Sequence, residues 1–469
     1  MSKVDTKHPS YAAMADQWAK CRAAVSGQKA VHAAGEVFLP KLKDQEDDDY
    51  KAYRMRASFF NATWRTVSAL SGLIFRKPPV IEAPVSALSL MDDVTLSGIS
   101  FTVFAQQAAI EILTTGRAGV LVDYPQQSTE GMTLADADAM KIRPAMQMYN
   151  ADEIINWKTA RVGNDTSLTL VVLREQADIS TGEFEHKTET VYRALDLTEG
   201  AYRVRLFRVT ANGEDEQLGG DILPLMNGKT LSYIPFYFLG VDNTTPDIDE
   251  PPLIDLVDVN LAHYRMTADY THGLHFTGLP TAVISGYVPE NSSDKLYIGS
   301  ASAWCFPDPQ AKAFFLEFTG QGLGALEKAI DLAEQQMAIL GARLLTSEKK
   351  DAETAQTAQI HRAGESSILS AIAQTISDGL TKALNTFCEW AGAAGGWSVK
   401  LNREFMPVGI TPQELSALLQ GWQMGAPGLS DEGLFNIFKE REMIQDDVTL
   451  EDEQARIASK PIPKIEMGE

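Results

Sequence analysis

Between residues 251 and 280 the chain reads PPLIDLVDVNLAHYRMTADYTHGLHFTGLP, and this stretch limits the possible folds more than any other. Leu253, Val257, Leu261, Tyr264 and Ala268 recur three or four residues apart and form one stripe, with Asp255, Asp258 and Arg265 on other faces. The spacing predicts a helix from Leu253 to His275, roughly 35 Å long at 1.5 Å per residue and longer than the helices of most globular domains. Gly278, Leu279 and Pro280 end it. A second long helix is predicted from Leu323, with Leu326, Ile330, Ala333, Met337, Leu340 and Leu344 on one face. After the polar break TSEKKDAETAQ a third runs from Thr357 to Trp390, carrying Ile360, Ile368, Ile372, Ile376, Leu380, Leu384 and Phe387. Thin rods with a single apolar stripe must cover it, and the expectation is that identical copies standing side by side do so.

The remainder is mixed. Residues 9 to 80 read as mostly helical: the run Asp44, Glu46, Asp47, Asp48, Asp49 precedes an amphipathic stretch of Tyr50, Tyr53, Phe59, Phe60, Trp64, Val67 and Leu70. Acidic residues at a helix start are favoured by the macrodipole. The helix should end near Phe75, before Arg76-Lys77-Pro78-Pro79. A helix with Phe101, Phe104, Ala108 and Ile112 leads through Gly116 into the apolar strand Val120-Leu121-Val122. From 142 to 240 the pattern turns to strands, among them TETVYRAL and AYRVRLFRV, read as a half-exposed antiparallel meander with Arg193, Arg203, Arg205 and Arg208 among its apolar positions. A strand-rich excursion spans Thr281 to Phe318, and two short helices close the chain, one opened by Thr411-Pro412 and Glu414, the other by Leu429-Ser430 with Leu434. The fold class is α+β.

The 469 residues include 41 Lys and Arg against 63 Asp and Glu, a net charge of −22. With 44% hydrophobic residues the chain is not a disordered tail, and its length suggests about three modules. A surface this acidic does not grip nucleic acid broadly, since that grip comes from Lys and Arg displacing counterions. It is compatible with nucleic acid sliding past. Cys21, Cys305 and Cys388 are too few and too far apart for a disulfide framework or a cysteine metal site. No window holds the roughly 20 apolar residues of a membrane helix, and the first residues lack a signal peptide's apolar core. The expectation is a chain made and retained in a cytosol.

Three features invite a chemical reading. Gly320-Gln321-Gly322-Leu323-Gly324-Ala325 follows an apolar stretch and opens a helix, the formal pattern of a pyrophosphate cradle and hence of a nucleotide-binding enzyme. The element due next is a strand with an acidic residue, but the helix continues to Leu345, so the run reads as a Gly turn before a helix. His272 and His275 beside Asp269, with His263 further back, could hold a metal. They lack a fuller ligand cluster and read as packing or solvent-facing histidines, so no metal and no cofactor is expected. Nor is there a G-x-S-x-G, Walker or H-E-x-x-H motif. Lys349 and Lys350 stand in the polar break between two long helices, where a loop projects. They read either as a solvated pair or as mobile cations at the lip of an acidic channel.

The chain resembles the portal proteins of tailed bacteriophages, in particular a compact family of phages and prophages. The likeness rests on FLPKLKDQEDDDYKAYRMRASFFNATWRTVSALSGLIFRKPP at 38 to 79, GRAGVLVDYP at 116 to 125 and PPLIDLVDVNLAHYRMTADYTHGLHFTGLPTAV at 251 to 283. It rests also on the order long helix, polar loop, long helix from 322 to 390. The resemblance implies a non-enzymatic ring, usually of twelve subunits, at one capsid vertex, through which double-stranded DNA is packed and ejected. It implies an α/β wing over 1–250, a stem helix over 251–275, a small clip over 276–321 and a second stem helix over 322–345. A tunnel loop over 346–356, a channel helix over 357–393 and a short helical crown over 394–469 would follow. Implied partners are further copies of the chain, the terminase large subunit and a head–tail adaptor at the clip, and scaffold or major capsid protein at the wing, in the virion and without membrane. On this reading Lys349 and Lys350 contact DNA, and Asp255, Asp258, Glu327, Asp331 and Glu334 are candidates to line the bore, with Asp269 a further acid on the stem. A non-channel structural adaptor would share the acidity and the oligomeric habit.

Overall fold

The computed structural model describes residues 3–124, 142–162, 164–278, 281–286, 306, 309–316, 322–345, 367–393, 395–405, 412–424, 430–440, 443–444 and 448–458. It divides into two compact units, one of 1–344 with 371–401, the other of 345–370 with 402–469. The structure is mixed α and β, as the sequence patterns predict.

The first unit begins with helices α1 (Pro9–Ser26), α2 (Gln28–Ala33), α3 (Asp47–Arg56) and α4 (Ala62–Ile74). Asp47, Asp48 and Asp49 fill the first turn of α3, where the helix dipole favours them. The stretch from Tyr50 to Leu70, which reads as continuously helical, is two helices. Residues 57–61 turn between them, and Asn61 starts α4 afresh by accepting a hydrogen bond from the Trp64 amide at 2.9 Å. Ala57 and Phe59 in that turn are buried. Past strand β1 (Val80–Glu82), the short helix α5 (Val85–Leu88) precedes α6 (Phe101–Thr115). Ten of the fifteen residues of α6 are buried, so it is a core helix rather than a surface one. Gly116 ends it in the left-handed region at φ 79°, and a Cβ there would lie 2.9 Å from the carbonyl oxygens of Asp249 and Glu250.

Two sheets follow. In one, β2 (Arg117–Asp123) runs between β3 (Ala145–Asn150) and β11 (Phe236–Gly240), antiparallel to both. In the other, β4 (Ile154–Val162), β5 (Asp165–Asp178), β6 (Thr188–Thr198), β7 (Ala201–Val209) and β8 (Asp215–Ile222) form a five-stranded antiparallel meander. Its arginines meet carboxylates across the strands: Arg193 with Glu175 at 2.7 Å, Arg203 and Arg205 with Asp196 at 2.9 and 2.7 Å, and Arg208 with Glu216 at 2.9 Å. Such cross-strand pairs let a half-exposed sheet carry charge without self-repulsion. A two-residue pair, β9 (Leu225–Met226) with β10 (Lys229–Thr230), precedes β11.

Helix α7 (Ile254–Gly278) is the long rod predicted from the sequence, and α8 (Leu323–Arg343) is the second. The structure corrects one expectation about them. The stripe on α7 is covered by its own chain: Val257, Leu261, Tyr264 and Ala268 are at most 3% exposed and pack with Cys21, Val31, Leu39, Tyr53 and Phe59. Asn260, fully buried, fastens the same helix to α4, accepting from the Thr63 hydroxyl at 2.8 Å and donating to the Phe60 carbonyl at 2.8 Å. A monomer core therefore holds the first half of the rod, without help from a neighbouring copy. Strands β12 (Thr281–Ser285) and β13 (Lys312–Leu316) pair antiparallel between the two helices. Helix α9 (Ile368–Trp390) buries Ile372, Ile376, Leu380, Leu384 and Phe387, the stripe read from sequence. It lies so close to β11 that a Cβ on Gly379 would stand 2.0 Å from Leu239. After it, β14 (Ser398–Lys400) returns to pair with β1.

The second unit contains α10 (Pro412–Gln423), α11 (Asp431–Glu440) and α12 (Leu450–Ala458). Ser430 caps α11 through the Gly433 amide at 3.1 Å, as the sequence predicts; Leu429, its staple partner, lies outside the described residues, as does Thr411. Thr449 and Asp452 cap α12 reciprocally, each side chain accepting the other's amide at 3.1 Å. Among the described residues no helix is long and apolar enough to cross a membrane.

Candidate functional site: an antiparallel helix arm

The feature that departs most from an ordinary globular unit is the arm built by α7, β12, β13 and α8. Arg343 near the end of α8 lies 3.7 Å from Asp255 at the start of α7, and Glu334 lies 3.4 Å from His263 one third of the way along. Thr281 pairs with Leu316 and Ser285 with Lys312. The numbers of facing residues keep a constant sum, to within one, from the helix pair into the strand pair. Helices and strands thus form one continuous antiparallel hairpin, with α7 about 37 Å long at 1.5 Å per residue. No side chain of α7 beyond Ala268 is buried, and on α8 none before Ala333. The outer part of the arm leaves Leu274, Phe276, Phe314 and Phe315 between 44% and 53% exposed. On α8 Leu332 and Ile339, seven residues apart and hence on one face, are 56% and 70% exposed. This second face is separate from the stripe of Ala333 and Met337 that meets the rest of the unit.

The acidic residues singled out in the sequence fall into two groups. Asp255 pairs with Arg343, Asp258 with Lys20 of α1 at 2.6 Å and Glu334 with His263, so three of the five have cationic or imidazole partners inside the chain. Glu327 and Asp331 are exposed on α8 and have no ion-pair partner among the described residues. Asp269 accepts from the Tyr53 hydroxyl at 2.5 Å. Lys349 and Lys350 lie outside the described residues, and so do Gly320 and Gln321. Gly322 directly precedes α8 with φ −76°, an ordinary helix entry.

The histidines of α7 take up separate contacts. His263 is 3% exposed at the contact between α7 and α8. His275 Nε2 is 3.2 Å from Arg56, and His272 stands edge-on to Tyr53 with ring centroids 5.1 Å apart. Among the described residues no three potential ligands gather for a metal. Burial, then the positive charge of Arg56 and the neighbouring His275, hold the His272 pKa below its ordinary 6.5, against smaller opposing effects of Asp269 and Asp49. The unfolded chain therefore binds a proton that the folded one resists, and this contribution to stability is lost as pH falls below 6.5 toward the folded value. Acidification from about pH 7.5 to about pH 5.5 is expected to lower the urea midpoint less in His272→Gln than in the wild type. An equal drop in both would show that His272 does not report on folding.

The residues that sequence reading missed lie away from the arm. Arg117, at the start of an otherwise apolar strand, is 1% exposed, with its guanidinium 4.0 Å from the Trp157 ring and 4.6 Å from that of Phe238. A charge inside an apolar strand was the only local signal; its partners come from strands 40 and 121 positions further along.

Comparison with known proteins adds little to this geometry. Residues 252–391, under a third of the chain, match a family model described as a domain of unknown function, DUF4055. No curated protein matches the chain. Similar solved structures include a chain in the virion of a native gene transfer agent particle, 12% identical, with 87% of this chain and 96% of that chain covered and a TM-score of 0.37. A chain in the neck of the native particle, computed with C12 symmetry, is 12% identical over 87% of this chain and 97% of that one, with a TM-score of 0.33. A chain in the neck of the empty particle, computed with C6 symmetry, is 12% identical over 83% and 92%, with a TM-score of 0.34. Likeness at this level carries no weight for function.

Proposed function

We propose that the chain is the subunit of a portal ring, a channel at one vertex of a phage-like capsid for the packing and release of double-stranded DNA, without catalysis of its own. The observation that carries this reading is the arm: a projecting antiparallel helix pair, apolar on a face its own chain leaves bare, at the position where the sequence resembles a portal stem. Exposed Phe276, Phe314, Leu332 and Ile339 make a lone copy a poor solution in water, and copies repeated by rotation cover such faces while leaving an axial opening. In this reading residues 1–250 form the wing, 251–275 and 322–345 the stem, 276–321 the clip, 346–356 the tunnel loop, 357–393 the channel helix and 394–469 the crown. Glu327 and Asp331, without an ion-pair partner among the described residues, are the acids assigned first to the bore wall, where negative charge keeps DNA from adhering. Terminase and a head–tail adaptor would meet the clip, and scaffold or capsid protein the wing.

Negative-stain images of the purified chain test the reading. Rings with an axial hole are expected, with a mass near twelve times 51.3 kDa by light scattering. Particles without a hole would replace the portal by a solid adaptor, and a stable monomer at micromolar concentration would remove both. Replacing Lys349 and Lys350 by Ala is expected to leave the rings intact and lower DNA packaging; full packaging would return both to ordinary solvated lysines.

A further inference from the structure

The first unit contains a cleft of about 1140 Å³ whose walls come from six separate parts of the chain: residues 6–9, β4, Thr166 to Leu168 of β5, β11 with the residues just before it, the loop around Asp247, and α9. Two of the three strands are sheet ends, β4 of the meander and β11 of the three-stranded sheet. An end strand presents unpaired amides and carbonyls that a further strand can meet. The N-terminal segment takes part of the β4 edge: the His8 amide donates to the Ile155 carbonyl, and Asn156 Nδ2 donates to the Thr6 carbonyl, both at 2.9 Å. From Trp157 to Ala160, among the described residues, β4 has main-chain bonds to no strand but β5. Trp157, Lys158 and Thr159 of this length line the cleft, next to Thr166 to Leu168 of β5.

Its charge is opposite to that of the chain. Lys7, Lys158 and Lys382 are exposed on the lining against a single carboxylate, Asp247, in a protein of net charge −22. Lys382 is held by the Thr244 hydroxyl at 2.6 Å. Behind the Trp157 and Phe238 side chains of the wall lies the buried Arg117, none of whose three guanidinium nitrogens has a hydrogen-bond partner. Burial lowers its pKa to about 9, with Asp249 and Asp247 opposing the fall from a distance, so it remains charged at neutral pH. A fixed cation that its own chain leaves without a hydrogen bond, three mobile ones at the rim and an open strand edge coincide in one place.

We propose that this cleft receives an extended acidic segment of a partner polypeptide, which adds to the β4 edge and sets its carboxylates against Lys158, Lys382 and Lys7. A polypeptide backbone matches the alternating amides and carbonyls of a strand edge, which a sugar–phosphate chain does not. The net charge of the whole molecule repels a long polyanion, while a short acidic segment meets the local cations only. The cleft is complete within one copy, so the inference does not rest on the ring.

Fluorescence anisotropy with a labelled peptide of about ten residues, Glu alternating with Val and Tyr, tests it on the full chain. The Glu peptide is expected to bind and its Lys counterpart not to. Charge reversal at two exposed positions, Lys158→Glu with Lys382→Glu, should weaken binding by about tenfold or more with unchanged circular dichroism. Failure of the Glu peptide to bind overturns the proposal, as does equal affinity in the reversed variant. Tighter binding of single-stranded oligothymidine would make the cleft a nucleic-acid groove instead. Dissociation of an assembly by the reversed variant, with peptide affinity unchanged, would assign the cleft to a second copy and equally overturn it.

Discussion

Replacing Leu332 and Ile339 together by Asp is expected to convert the proposed ring into a 51.3 kDa species in light scattering. Both side chains are more than half exposed in the single chain and share one face of α8, so the substitutions cost the monomer little. In a ring each face meets a neighbour, and an Asp placed in an apolar contact must either lose its hydration or acquire a proton. The penalty, of order several kcal/mol per charge, recurs at every interface. The helical signal and the urea midpoint of the monomer should be those of the parent chain. An assembly of undiminished mass would show that the bare face of α8 is not where copies meet, and the arm would then lose its role in the proposed channel.

The second large effect concerns a single carboxylate in the core. Glu111, 6% exposed on α6, accepts both terminal nitrogens of Arg22, at 3.0 and 2.6 Å, and the Ala151 amide at 3.0 Å, with the Thr115 hydroxyl 2.9 Å away. It thereby joins α1, α6 and the residues that follow β3. Glu111→Ala is expected to cost about 3 kcal/mol, the low end for removing one partner of a buried pair, because Arg22 keeps Asp152 at 2.6 Å. Glu111→Gln should cost less, about 1–2 kcal/mol, since its carbonyl can still accept the Ala151 amide. The urea midpoint at unchanged slope measures both. Lys51→Ala, which removes an exposed i, i+3 pair with Asp48, should leave the midpoint where it is. Equal behaviour of Glu111→Ala and Lys51→Ala would mean that the carboxylate does not hold these elements together.

These two predictions mark where local pattern stops being informative. Leu253, Val257, Leu261 and Tyr264 announce their helix because a 3.6-residue period needs nothing from elsewhere in the chain. The same holds for the stripe of α9, for the pairing of β6 with β7 and for the Ser430 cap, each set by neighbours within a few positions. The helical period of Tyr50 to Leu70 misled because Ala57 and Phe59 are buried in a turn, and burial alone does not distinguish a turn from a helix face. Arg117 carries no local sign of its role. Trp157 and Phe238 give it its character, and no short-range rule connects the three.

The sequence by itself determined the faces and order of the long helices, because amphipathic period and breakers are written residue by residue; Thr357 and Ile360, read as the start of the third, lie outside the described residues. Only the tertiary structure decided what covers them: the inner half of α7 is packed by α1, α2, α3 and the residues beside them, while the outer arm and the second face of α8 are left bare. It also decided that two sheet ends and a buried guanidinium share one cleft. Such placements depend on which distant surfaces fit and exclude water together, a property of pairs of segments that no single segment carries.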